Sequence, residues 1–229
     1  MIKFENVSKK FGEITALEEI NFEIKEGEFV FLIGSSGSGK TTIFRLILGE
    51  YLPTEGKIFF EEKDTASFKG KALCELRRKV GVVFQDFKLL ANRTVFENVS
   101  LPLQIRKTAP EEVAEKTEAV LKMVGLWERK DLFPAQLATG EIQRVAIARA
   151  FIADPAVLLA DEPTGNLDPE TTKELMKILK EINEKGTTVI MATHNSEIVN
   201  ELKARVILLK EGKILSDEKK SKYLLPKDV

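Results

Sequence analysis

The sequence predicts an α/β fold: a mostly parallel sheet covered by helices on both faces, with a helical insertion over residues 86–154. Three observations carry that expectation. Strand-like and helix-like stretches alternate along most of the chain, the pattern of βαβ units. A glycine-rich stretch stands between an apolar strand and a segment of helical period, as phosphate-binding loops do. From Asp86 to Asp154 the helical pattern runs on without a strong strand.

Residues 2–7 and 20–25 are short β-like runs, with Phe22 and Ile24 alternating in the second, and predict half-buried strands. The apolar run 28–33 predicts a central strand. Beyond the glycine-rich loop, Ile43, Phe44, Leu46, Ile47 and Leu48 recur at helical spacing, and Gly49 and Pro53 mark the stop. Residues 57–60 and 80–84 predict strands. Segment 110–124 opens with Pro and two glutamates and sets Val113, Val120, Leu121 and Val124 on one face, which predicts a helix. A helix over 140–152, strand 157–159, helix 170–183, strand 187–192, helix 196–202 and strand 205–209 complete the list. One domain over residues 2–229 accommodates all of it.

Composition removes several classes of function. Of 229 residues, 35 are Lys or Arg and 36 Asp or Glu, giving a net charge of -1, so neither a polybasic nucleic-acid binder nor an acidic disordered chain fits. Apolar runs such as 29–33 and 156–160 are far shorter than the roughly 18 residues of a spanning helix. No apolar secretory segment opens the chain, and Cys74 is the single cysteine, so a cytoplasmic location is expected. Cys74 and the single His194 together exclude a Cys/His zinc site. The lysine-rich stretch 219–229, with Tyr223, Leu224 and Leu225, reads either as a solvated tail or as a contact for an anionic membrane surface or a partner.

Two motifs carry chemistry. Gly34-Ser35-Ser36-Gly37-Ser38-Gly39-Lys40-Thr41, followed by Thr42, matches the phosphate-loop pattern. Its glycines let backbone amides curl around phosphate oxygens, the helix start adds its positive end, Lys40 supplies a charge, and the Thr41 hydroxyl suits Mg²⁺. Further on, Val157-Leu-Leu-Ala-Asp161-Glu162 delivers two carboxylates at the C-terminal end of a buried strand, where ligands of parallel sheets bind. Asp161 suits the surroundings of Mg²⁺, and Glu162 is placed to activate a water against the γ-phosphate.

With these residues the sequence resembles the ATP-binding subunits of ABC transporters over nearly its whole length. The resemblance implies a P-loop core joined by an antiparallel β subdomain, with ATP and Mg²⁺ as ligands. By position, Phe11 resembles the aromatic that stacks on adenine, Gln85 the glutamine that reaches metal or water, and His194 the histidine that meets the γ-phosphate. Leu137-Ala138-Thr139-Gly140-Glu141 resembles the signature loop, and Asn166-Leu-Asp168 the loop after the carboxylates. Gln85 is accordingly expected at the metal beside Thr41 and Asp161. Phe87-Lys-Leu-Leu90, Arg93-Thr-Val and Glu162-Pro-Thr-Gly-Asn-Leu-Asp168 are most like the cell-division members of the family; lipoprotein-release and macrolide-export ATPases are the alternatives. The segment after Gln85 is where such proteins receive a membrane partner.

The resemblance implies an ATP-dependent head-to-tail homodimer and an integral, FtsX-like membrane partner. It also leaves open a slowly hydrolysing scaffold that meets a division-ring protein; nucleic acid is not an expected partner. The family signature usually carries Ser-Gly where this chain has Ala138-Thr139. That removes a phosphate-binding hydroxyl at Ala138. At Thr139 a β-branched side chain disfavours the positive φ that glycine permits, although its hydroxyl stands one residue further on.

Overall fold

The computed structural model describes residues 1–165 and 167–219; Asn166 and the stretch 220–229 lie outside the described residues. The chain opens with β1 (Ile2–Phe11) and β2 (Ile14–Ile24), then β3 (Phe29–Ile33), α1 (Lys40–Ile47), β4 (Glu55–Phe60), the short β5 (Lys63–Asp64), α2 (Lys71–Arg78) and β6 (Val80–Val83). Three helices follow, α3 (Val95–Ile105), α4 (Pro110–Met123) and α5 (Thr139–Phe151). The remainder alternates: β7 (Val157–Asp161), α6 (Pro169–Glu184), β8 (Thr188–Thr193), α7 (Ser196–Leu202), β9 (Arg205–Lys210) and β10 (Lys213–Glu218).

Two sheets result. The first is antiparallel in the order β2-β1-β4-β5, and the second runs β10-β9-β3-β8-β7-β6, parallel except for the antiparallel edge strand β10. Strand period decides how the second sheet is buried. Phe31 and Ile33 of β3 face one core with Leu158, Val189 and Met191, under α3 to α7. Val30 and Leu32 face the other, with Leu159, Ile190 and Ile207, against α1 and the antiparallel sheet. Both faces are therefore covered, as the continuous apolar strands require. No helix among the described residues is long and apolar enough to cross a membrane.

β1 and β2 are longer than the sequence predicts, because residues up to the turn still pair, Lys10 with Thr15 and Phe11 with Ile14. β5, α2, α3 and β10 are additions to the predicted elements. Only Leu76 of α2 is buried and β10 is a largely exposed edge, so neither has the apolar periodicity that announces an element; α3 buries Val95, Val99 and Leu103 at helical spacing but is interrupted by Pro102. The start of α3 is nevertheless signalled. Thr94 accepts from the Glu97 amide while the Glu97 carboxylate accepts from the Thr94 amide, a reciprocal cap.

Candidate active site

The phosphate loop closes on itself through its lysine. The buried Lys40 ammonium donates to the carbonyls of Gly34 at 2.7 Å and Ser35 at 2.9 Å, which curls the loop around the start of α1. Gly39 must lack a side chain here: it has φ 109°, and a Cβ would stand 2.5 Å from Leu17 Cδ2. Ser36, Gly37, Gly39, Lys40, Thr41 and Thr42 line a cavity of about 200 Å³, together with Ala16, Gln85, Asp161 and Glu162. Gly34 and Ser35 lie behind it as acceptors. Ser38 is 2% exposed and its hydroxyl has no hydrogen-bond partner, an orphaned polar group inside the cradle.

The carboxylates arrive from β7. Asp161, the last residue of that strand, accepts a hydrogen bond from the Thr41 hydroxyl at 3.2 Å. Burial raises its pKa, and the Thr41 hydrogen bond opposes the rise. Burial likewise lowers the pKa of Lys40 against the pull of Glu162 and Asp161. Glu162 has φ 47°, a left-handed backbone rare for a side chain of its size. Its amide still donates to Ala192 on β8 at 2.9 Å, and the turn that follows brings its carboxylate back to the loop. One oxygen lies 4.0 Å from Lys40 Nζ and the other 3.1 Å from His194 Nδ1. His194 follows the end of β8, and its side chain is 60% exposed.

Oxygen donors of this kind suit Mg²⁺. Thr41, Asp161 and Gln85 offer hard oxygens in one cavity, a donor set that fits Mg²⁺. The described residues contain no cluster of three or more acids, histidines and cysteines that could hold a metal ion.

The other expected site residues lie apart from this cavity. Phe11, 40% exposed at the end of β1, sits edge-on to Tyr51 with Lys9 Nζ 4.9 Å from its ring centre. Ala138, Thr139, Gly140 and Glu141 line a separate groove of about 350 Å³ with Arg144, Asp168 and Thr171. Asp168 caps α6, accepting from the amides of Glu170 and Thr171 and from the Thr171 hydroxyl. Those hydrogen bonds, the Thr171 hydroxyl first, hold its pKa below the usual carboxylate range. Asn166 lies outside the described residues.

The strain expected at Thr139 is absent. Thr139 is the first residue of α5, and neither it nor Ala138 has positive φ, so a β-branched side chain fits the helix start. Glycine is required one position later. A Cβ on Gly140 would lie 2.5 Å from Thr171 Cγ2. Ala138 occupies the cap position of α5 without a capping side chain, while Glu141 accepts from its amide at 2.9 Å, so half of a capping box is present. Thr171 and Ala16 were not legible as site residues, since each acts by proximity rather than through a motif.

The phosphate loop and the carboxylates are now placed, and residues 17–165 match the family model described as ABC transporter. The chain belongs to the ABC transporter ATP-binding family. It is similar to the cell division ATP-binding protein FtsE of Bacillus subtilis (strain 168), with 48% identity over 97% of this chain and 98% of that protein. FtsE of Escherichia coli (strain K12) is 43% identical over 93% and 96% respectively. Among solved structures, the ATP-binding cassette MJ0796, described as a dimeric post-hydrolysis state bound to ADP and Pi, superposes with a TM-score of 0.87. That match has 40% identity and covers 97% of this chain and 100% of the cassette. This chain is thus an ABC-type ATPase, with an antiparallel sheet and helical regions arranged as in other ABC cassettes.

Proposed function

We propose that this ABC ATPase is the ATP-hydrolysing subunit of a cell-division membrane complex. In this reading it works as an ATP-dependent head-to-tail dimer at the cytoplasmic face of the membrane, beside an integral FtsX-like partner, and ATP cycling controls cell-wall hydrolysis. The similarity to FtsE over nearly the full length supports the cell-division branch. The observation that carries the chemistry is the junction of Glu162 with both His194 and Lys40 at the mouth of the phosphate cavity.

Each residue then has a role that its surroundings explain. Residues 34 to 42 hold the phosphates, with Lys40 opposite their charge. Thr41, Gln85 and Asp161 would hold Mg²⁺, which would neutralise charge on the phosphate oxygens. Glu162 accepts the proton of the attacking water, and His194 positions Glu162 and donates a hydrogen bond to the γ-phosphate. Phe11 stacks on adenine. Ala138 to Glu141 and Asp168 of a second copy close the site, which accounts for their separate groove on one chain. The helical region 86–154 is the part that carries this loop and meets the membrane partner.

A second reading, a slow ATP-dependent scaffold that also meets a division-ring protein, is favoured by one observation: Ala138 offers no hydroxyl at the start of α5. A lipoprotein-release or macrolide-export role is supported only by shared motifs. The deciding experiment is phosphate release with light scattering on Glu162→Gln. Hydrolysis should fall by at least about a hundredfold while ATP binding persists and a dimer accumulates. Hydrolysis at the parent rate would remove Glu162 from the role of base.

A further inference from the structure

Phe11 ends β1 at the turn into β2, and its backbone pairs with Ile14. Ala16, two residues further along β2, lines the phosphate cavity. Two residues of strand span about 7 Å, a gap that the ribose of a nucleotide can bridge. The Phe11 ring is thus at the right remove from the phosphates, yet at 40% exposure little of the fold holds it. An exposed side chain that is free to rotate loses that freedom when it stacks on a ligand, and the loss weakens binding.

Tyr51, in the loop after α1, supplies the missing restraint. The two rings meet in a T, with 5.1 Å between centres and 73° between planes, an arrangement that aromatic quadrupoles favour. Lys9 reinforces the pair. Its ammonium donates to the Leu52 carbonyl at 2.9 Å, which holds it 4.9 Å from the centre of the Phe11 ring and 5.6 Å from that of Tyr51. Tyr51 is itself fixed at three points. Its ring packs against the core between α1 and the antiparallel sheet, its hydroxyl accepts from Arg45 Nη1 at 2.6 Å, and its amide donates to the Arg45 carbonyl at 3.3 Å. Arg45 belongs to α1, the helix that opens with Lys40 and Thr41. Through Tyr51, the exposed ring of Phe11 is therefore tied to the same helix whose first residues line the phosphate cavity.

We propose that Tyr51 is a positioning residue for the base: it holds Phe11 in the orientation that stacks on adenine, and so sets the affinity for the nucleoside part of the ligand without touching the phosphates. The proposal rests on the reading that Phe11 stacks on adenine. It adds a residue outside every motif of the sequence.

Calorimetry on the full chain with Mg²⁺, using ADP and then pyrophosphate, reads the base and the phosphates apart. Tyr51→Leu should weaken ADP about fivefold, the contribution of one aromatic pair, and leave pyrophosphate affinity unchanged. Tyr51→Phe keeps the ring contact and should stay within about twofold of the parent. In a Phe11→Ala background, Tyr51→Leu should add no further loss. If Tyr51→Leu lowers the melting temperature, Tyr51→Met, which keeps a long apolar side chain on the core, takes its place. Equal weakening of ADP and pyrophosphate would show that Tyr51 only supports the loop and would overturn the proposal; so would unchanged ADP affinity, or a loss that persists without Phe11. The reading beneath is tested by Phe11→Ala alone. If that variant binds ADP as the parent does, the stacking reading fails and the proposal with it. If it loses affinity for ADP while Tyr51→Leu keeps it, the proposal alone fails.

Discussion

Asp161 sets folding against chemistry. Its pKa is raised by burial, so the folded chain holds the proton more tightly than the unfolded one. The ionised carboxylate therefore weakens the nucleotide-free fold above the folded pKa. The penalty fades as pH falls through that value and is gone below the unfolded pKa, about 3.9. Asp161→Asn keeps an acceptor for the Thr41 hydroxyl and removes the charge. Its melting temperature should exceed that of the parent at neutral pH, with the gain vanishing near pH 4, while ATP turnover is lost; a lower midpoint at pH 7 would show that burial is not the dominant effect. Ala138 offers a second single-residue test. A serine there would meet the amides at the start of α5 and complete the box with Glu141, adding about 1 kcal/mol of stability. If the same hydroxyl reaches phosphate, phosphate release rises as well; unchanged turnover with a raised melting temperature would confine Ala138→Ser to capping.

At the scale of elements, the contact between α5 and α6 is set by one missing side chain. Gly140→Ala drives a Cβ against Thr171 Cγ2, and overpacking of this kind costs about 1 to 3 kcal/mol. Thr171→Ser removes that methyl and keeps the hydroxyl that Asp168 accepts, so the double variant should recover most of the loss. Additive losses in urea unfolding would mean the two helices do not meet there. Sequence legibility follows the same physics. The parallel strands, α4, α6 and the phosphate loop were readable because continuous apolar runs, helical periodicity and a fixed glycine spacing each leave a local trace. α3 was obscured by Pro102 even though Thr94 and Glu97 spell its cap. The left-handed turn at Glu162 was out of reach, since it depends on β7 and β8 lying side by side, whereas the approach of His194 to Glu162 was implied by the family resemblance. Thr139 was misjudged for a related reason: residue type suggested strain, but the helix start supplies an ordinary backbone.

Across the whole molecule a shared apolar core, the Lys213–Glu18 ion pair and one largely buried side chain join the two sheets. Arg205 on β9, 12% exposed, donates to both oxygens of Asp217 on β10 at 2.7 Å, to Glu28 at 2.9 Å and to the Glu23 carbonyl of β2 at 2.7 Å. The Asp217 hydrogen bonds, foremost, raise its pKa above the usual value. Arg205→Met leaves those acids without a counter-charge and should cost about 3 kcal/mol, lowering the melting temperature by several degrees; a shift below one degree would show that the sheets hold without it. The separation of the phosphate cavity from the groove of Ala138 to Glu141 has a genetic counterpart. In the proposed head-to-tail dimer, Lys40→Ala would spoil one half of a site and Gly140→Ala the other, so a dimer of either variant would have two damaged sites. In a mixed dimer both lesions fall together at one nucleotide, and the second nucleotide meets only intact surfaces. Two inactive alleles should therefore complement each other when co-expressed, and a cell with one damaged copy should retain partial function instead of losing it outright.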